Sequence, residues 1–202
     1  MSRSALAALA LAGATLTSAC ADSIEPEVVD GGPGAAGKVR VADNEDGSHT
    51  VQVNANDPEQ WVYLSLDQLR HVEPEEPGTS VEWDLALQRF HYALNGGVSG
   101  SGLGELSIVD GAFLFDVNLA PESGWSTDAP DSTADENALP DYAFETAGDG
   151  WYDYDGTGHI LTPKRRVYVV RGAEGELFAV QILSYYSDVG SSGWPKFTVK
   201  PL

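Results

Sequence analysis

Arg166-Val167-Tyr168-Val169-Val170-Arg171, a Glu174-Gly175 turn and then Leu177 to Tyr186 (LFAVQILSYY) decide the fold class. Both arms are dense in β-branched and aromatic residues, and the turn between them is short, so the segment predicts a β-hairpin. The same signals recur elsewhere. Val39 and Val41 precede Asp46-Gly47, and Val51 and Val53 follow it, which predicts a second hairpin with its turn at Asp46-Gly47. Trp61 to Leu66 (WVYLSL), Trp151 to Tyr154 (WYDY) and Phe197 to Lys200 (FTVK) are further strand-formers. Residues 67–72 are ambiguous, and Glu73 to Pro77 reads as a loop. Trp83 to Leu94 (WDLALQRFHYAL) fits helix or strand by period alone; its aromatics and the Asn95-Gly96-Gly97 stop favour strands. No stretch has the amphipathic period of a long helix. The expectation is an all-β domain of many short, mostly antiparallel strands over residues 38–202.

Residues 120–150 read as a long surface excursion, low in apolar residues and dense in Asp, Ser and Pro. Residues 20–37 (CADSIEPEVVDGGPGAAG) read as a flexible acidic and glycine-rich tether. Before it, residues 1–19 have the layout of an export signal: Arg3, an apolar run from Ala5 to Leu16, then small residues up to Cys20. Leu16-Thr17-Ser18-Ala19-Cys20 resembles a bacterial lipobox, with its leucine one place early. Ala19-Cys20-Ala21 offers a rival site for ordinary cleavage before Asp22. Cys20 is the chain's one cysteine. It cannot form an internal disulfide, and lipidation explains both its presence and its position. The expected location is therefore the bacterial cell envelope, lipid-anchored to the outer membrane.

The chain carries 31 acidic and 11 basic residues, a net charge of −20. Such a surface repels phosphates, so nucleic acid is not an expected partner. No G-x-S-x-G elbow or H-E-x-x-H pair is present, and no free cysteine remains once Cys20 is lipidated, so no enzyme is expected. The glycines from Gly96 to Gly104 lack nucleotide-loop spacing and read as positions of close packing or positive φ. Asp43 to Gly47 and Asp153 to Gly156 lack the full calcium-loop spacing and read as turns.

Two blocks carry a family resemblance. Trp83-Asp84-Leu85-Ala86-Leu87, Arg89 and the run Asn95-Gly96-Gly97-Val98-Ser99-Gly100-Ser101-Gly102 form the first. Val167 to Gly175 with Val180 to Tyr186 form the second, and the Trp61 to Ser65 strand adds to it. Together they resemble the HmuY-like haem-binding lipoproteins and cover most of residues 50–200. The resemblance implies a β fold, a lipoprotein that captures haem for iron acquisition, and an outer-membrane haem receptor as a partner. Its founding members hold haem between two histidines, one in the long middle segment and one after a Gly-Trp strand. Here Gly111 to Gly148 has no histidine, so the founder-type pair is not found. After Gly150-Trp151, His159 lies a few residues late. The chain's only Met is the initiator.

Haem iron takes His, Met, Cys or Tyr. His159 is the candidate for the iron, with the other axial position open to water or filled by a tyrosine such as Tyr154 or a more distant histidine, and with Lys164, Arg165 and Arg166 as candidates for the propionates. Its other reading is a turn histidine followed by exposed charges. His49, beside a turn, reads as solvent-exposed. His91 reads as a half-buried, hydrogen-bonded histidine, and nothing in the sequence places His71. A scaffold that binds a protein, a glycan or another small ligand without haem is the alternative.

Overall fold

The computed structural model describes residues 37–133 and 139–202. The signal segment, Cys20 and the tether up to residue 36 lie outside the described residues. Within them the chain is almost wholly β. The strands are β1 (Val39–Asp43), β2 (His49–Val53), β3 (Val62–Ser65), β4 (Arg70–Val72), β5 (Leu85–Gln88), β6 (His91–Leu94), β7 (Glu105–Asp110), β8 (Tyr152–Asp155), β9 (Ile160–Pro163), β10 (Arg166–Arg171), β11 (Leu177–Tyr186) and β12 (Ser192–Pro201). One short helix, α1 (Ala143–Thr146), and two 3-10 turns complete the set.

Every strand pairing is antiparallel. A six-stranded sheet runs in the order β1-β2-β12-β11-β10-β7, a four-stranded sheet in the order β4-β3-β5-β6, and β8 and β9 pair alone. The two larger sheets share one core. Val41, Val51, Val170, Val180 and Phe197 come from the first, and Leu64, Leu85, Leu87 and Leu94 from the second. Alternation sends the intervening residues outward. Val167, Val169 and Ala179 therefore form a second apolar layer on the outside of the large sheet, capped by Leu114 and Val117.

The predicted hairpins form. Val39 pairs with Val53 and Val41 with Val51 across the Asp46-Gly47 turn, and β10 pairs with β11 across Glu174-Gly175. The run from Trp83 to Leu94 is two strands rather than one. Gln88 pairs with His91 across a two-residue loop in which Arg89 has a φ of 54°.

The excursion over 120–150 is a correction. It is not simply a surface loop. Ser126 bridges to Leu106, and Ala129 to Asp141. Asp128, Tyr142, Ala143 and Phe144 are buried. A few well-placed residues dock a segment whose average composition is polar.

Candidate functional site at the tip of the third sheet

β8 and β9 form a hairpin rooted in the core. Trp151, fully buried just before β8, donates from Nε1 to the carbonyl of Phe90 at 3.0 Å. Tyr152 meets the Phe90 ring edge to face, with centroids 6.1 Å apart. On the other strand the Leu161 N–H donates to the Tyr186 hydroxyl at 3.0 Å. The register Asp155 to Ile160 leaves a four-residue loop. Asp155 shapes that loop: its carboxylate accepts the N–H groups of Thr157 at 2.9 Å and Gly158 at 3.1 Å, as turn aspartates do. His159 then sits in the left-handed region, at a φ of 54°.

At the tip, the Tyr154 hydroxyl and His159 Nδ1 share a hydrogen bond. Tyr154 and Ile160 are about half exposed beside it. With Nδ1–H donating to the phenol oxygen, Nε2 keeps its lone pair and points to no partner among the described residues. That is the arrangement in which a ring nitrogen can ligate iron while its other nitrogen is held in place.

The three basic residues lie at the root of the hairpin rather than at its tip. Lys164 is about five residues along an extended strand from His159, roughly 16 Å at the usual rise. Its ammonium donates to the Asp149 carbonyl at 2.6 Å and lies 3.0 Å from the Asp149 carboxylate and 3.8 Å from that of Asp153. The Lys164 hydrogen bond is the main reason that the Asp149 carboxyl is held below its usual range, with Arg166 adding to it. Arg166 is buried. It donates to the carbonyls of Gly148 at 2.7 Å and Gly150 at 2.9 Å, and lies 2.9 Å from Asp110. It pins a turn in which Gly148, Asp149 and Gly150 all have positive φ. Arg165 is exposed and lies over the Phe113 ring at 5.2 Å. The structure thus brings Tyr154 and His159 together and leaves Lys164, Arg165 and Arg166 apart from them.

The other histidines are placed as follows. His49 is partly buried and bonds Asp43 at 2.7 Å. His91 is partly buried and bonds Glu145 at 2.8 Å. His71 is buried in β4, and burial pushes its pKa down.

The sequence model of the HmuY protein family matches residues 57–198. The chain belongs to the HmuY family. Among solved structures with the HmuY-type fold, a lipoprotein candidate from Bacteroides fragilis NCTC 9343 superposes with a TM-score of 0.55 at 21% identity, over 79% of this chain and 93% of that one. A candidate HmuY-like haem-binding protein from Bacteroides vulgatus ATCC 8482 gives 0.53 at 18%, over 75% and 90%. The apo HmuY analogue of Tannerella forsythia gives 0.57 at 14%, over 76% and 95%. No curated protein matches the chain.

The residues that carry the HmuY resemblance hold the scaffold. Asp84 is buried between the sheets. Its Oδ2 accepts the Leu66 N–H at 2.7 Å and its Oδ1 the Ala173 N–H at 2.8 Å, tying the end of β3 to the β10–β11 turn. Asn95, fully buried, donates to the carbonyls of Trp83 at 2.7 Å and Ser80 at 2.8 Å and accepts the Gly102 N–H at 3.0 Å. The glycines pack around it: a Cβ on Gly100 would lie 2.1 Å from Asn95 Oδ1. This is the close packing that the sequence predicts for the run. Asp128 escapes sequence reading. It accepts N–H groups from Leu94 and Ala143, both at 2.9 Å, and so fixes α1 against β6. A second concavity, on the outer face of the four-stranded sheet, is lined by Trp61, Tyr63, Trp83 and Tyr142. Its one sequence signal is the spacing of Trp61 and Tyr63, which puts two aromatics on one face of a strand.

Proposed function

We propose that this HmuY-family chain is an exported binding protein that captures haem through His159. Residues 1–19 direct export, Cys20 carries the lipid that holds the protein on the outer membrane of a bacterial envelope, and residues 38–202 form one binding domain. The observation that carries the haem reading is the Tyr154–His159 pair at an exposed hairpin tip. Haem supplies an iron with open axial positions and a flat apolar ring. The residues fit such a group at one contact: His159 Nε2 would hold the iron, Tyr154 would fix the imidazole, and Ile160 would offer apolar surface. A founder-type histidine pair does not fit, since Gly111 to Gly148 has none to give. Arg165, the exposed cation of the three, is the one free to meet a propionate; Lys164 and Arg166 keep the root of the hairpin in shape. An outer-membrane haem receptor is the partner in this reading, and no catalytic role is assigned.

Titrating haemin into the mature chain carrying Cys20→Ser should give a saturable Soret band with a high-spin ferric spectrum. His159→Ala should weaken binding at least ten-fold, and His49→Ala should leave it unchanged. A low-spin spectrum that survives His159→Ala would move the site to His71 or His91. No saturable band at all would favour the same scaffold serving a ligand other than haem.

The anchor has its own test. The wild-type protein should partition into the detergent phase and Cys20→Ser into the aqueous phase. A mature N-terminus at Asp22, read by mass spectrometry, would replace lipidation with ordinary secretion.

A further inference from the structure

The cleft on the outer face of the four-stranded sheet has a built shape. One cross-strand row runs Val72, Tyr63, Ala86, Ala93, in register across all four strands. Two adjacent alanines on a sheet face leave a step where larger side chains would fill the space. Trp61, Tyr63, Trp83 and Tyr142 rise around that step, with Pro140 and Ser99 at the rim, and enclose about 170 Å³. The walls are fixed. Trp83 is buried and donates from Nε1 to the Pro77 carbonyl at 2.9 Å. Tyr63 meets it edge to face, with centroids 5.1 Å apart at 68°. Trp61 meets Tyr142 in the same manner, at 5.6 Å and 63°.

Among the described residues, no charged side chain lines the cleft. Burial, then the negative charges of Asp128 and Glu145, push the Tyr142 hydroxyl up to about 12. His91 lies against the Tyr142 ring, its Nδ1 tied to Glu145. Beyond Trp61 and Tyr63 a second lobe of about 210 Å³ carries Glu73 and His71, with Lys38 as its one lysine. An anion entering the aromatic lobe would meet ring faces and, among the described residues, no Lys or Arg to pair with. A neutral sugar would bring several hydroxyls, yet among the described residues the polar side-chain groups on the lining besides the Trp indole N–H groups are those of Ser99, Tyr63 and Tyr142, so most would be left unpaired at a cost. A methylated ammonium needs no hydrogen bond and is attracted to aromatic faces, most strongly to Trp.

We propose that the cleft formed by Trp61, Tyr63, Trp83 and Tyr142 over Ala86 and Ala93 binds an organic cation with a methylated ammonium head. The site is separate from His159 and does not depend on haem capture. The test is a titration of the full mature chain with choline, followed by tryptophan fluorescence and calorimetry, beside its neutral isostere 3,3-dimethylbutanol. Choline should saturate at millimolar concentration or below and bind roughly ten-fold more tightly than the isostere, the preference expected of a desolvated cation–π site. Trp61→Ala should weaken choline at least as much, and His159→Ala should have no effect. Ala86→Leu, if its circular dichroism matches wild type, should abolish binding by filling the step. Sedimentation with phosphatidylcholine vesicles, against phosphatidylglycerol vesicles, tells a lipid-borne head from a free one; binding by either route supports the proposal. Equal affinity for the neutral isostere, saturation by glucose in place of choline, or no saturation with either cation source would overturn it.

Discussion

Asp84→Ala is expected to cost about 3 kcal/mol of stability, because two buried N–H donors lose their acceptor at once. For a chain of this size that lowers Tm by roughly 6–12 °C. The donors belong to Leu66 and Ala173, on elements of different sheets, so the loss loosens the contact between layers. Asp84→Asn, which keeps one acceptor but turns an amide NH₂ toward the second donor, should lose less. The pH dependence has a definite sign. Burial raises the Asp84 carboxyl above its ordinary value, outweighing the two N–H bonds that pull the other way. The native state therefore holds this proton more tightly than the unfolded chain. The associated stability is complete below the unfolded pKa and is lost as pH rises through the higher native one. The stability gap between wild type and Asp84→Asn should accordingly narrow as pH is raised over that window, measured by urea denaturation. A gap that widens there would remove burial as the dominant influence.

Gly96→Ala should be as damaging, for a steric reason. A Cβ at Gly96 would lie 2.1 Å from the carbonyl oxygen of Gly104, and both belong to backbone that is held around Asn95. Backbone cannot swing aside as a side-chain end can, so we expect about 3 kcal/mol or more, or a chain that fails to fold. Gly78→Ala is the control: nothing lies within 4 Å of its Cβ, and its change should stay within about 0.5 kcal/mol. Equal losses at the two positions would mean that glycine content in general, and not this packing, limits stability.

What could be read in advance followed from locality. The hairpins at Asp46-Gly47 and Glu174-Gly175 declare themselves because turn chemistry and strand alternation lie within a dozen residues. The Tyr154–His159 pair was legible for the same reason, since one tight loop separates the two side chains. The charges at the root were not. Lys164, Arg165 and Arg166 look like one basic patch in a string, but Lys164 and Arg166 are claimed by the acids at Asp110, Asp149 and Asp153, while Arg165 lies over the Phe113 ring. Residues 120–150 misled because average polarity describes most of the segment but not Asp128, Tyr142 and Phe144, on which its docking depends. The aromatic cleft draws Trp61, Trp83 and Tyr142 from three separate stretches, and no local pattern joins them.

The place of β12 bears on when this protein can fold. It lies between β2 and β11, pairing Lys196 with Gln52 and Val199 with His49. The β1–β2 hairpin therefore has no neighbour in its sheet until a strand far along the chain has been synthesised. Contacts of such long range are slow to form and carry a large loop-closure cost. A nascent chain leaving the ribosome N-terminus first thus keeps its larger sheet incomplete until β12 emerges, with the inner edge of the β1–β2 hairpin unpaired until then.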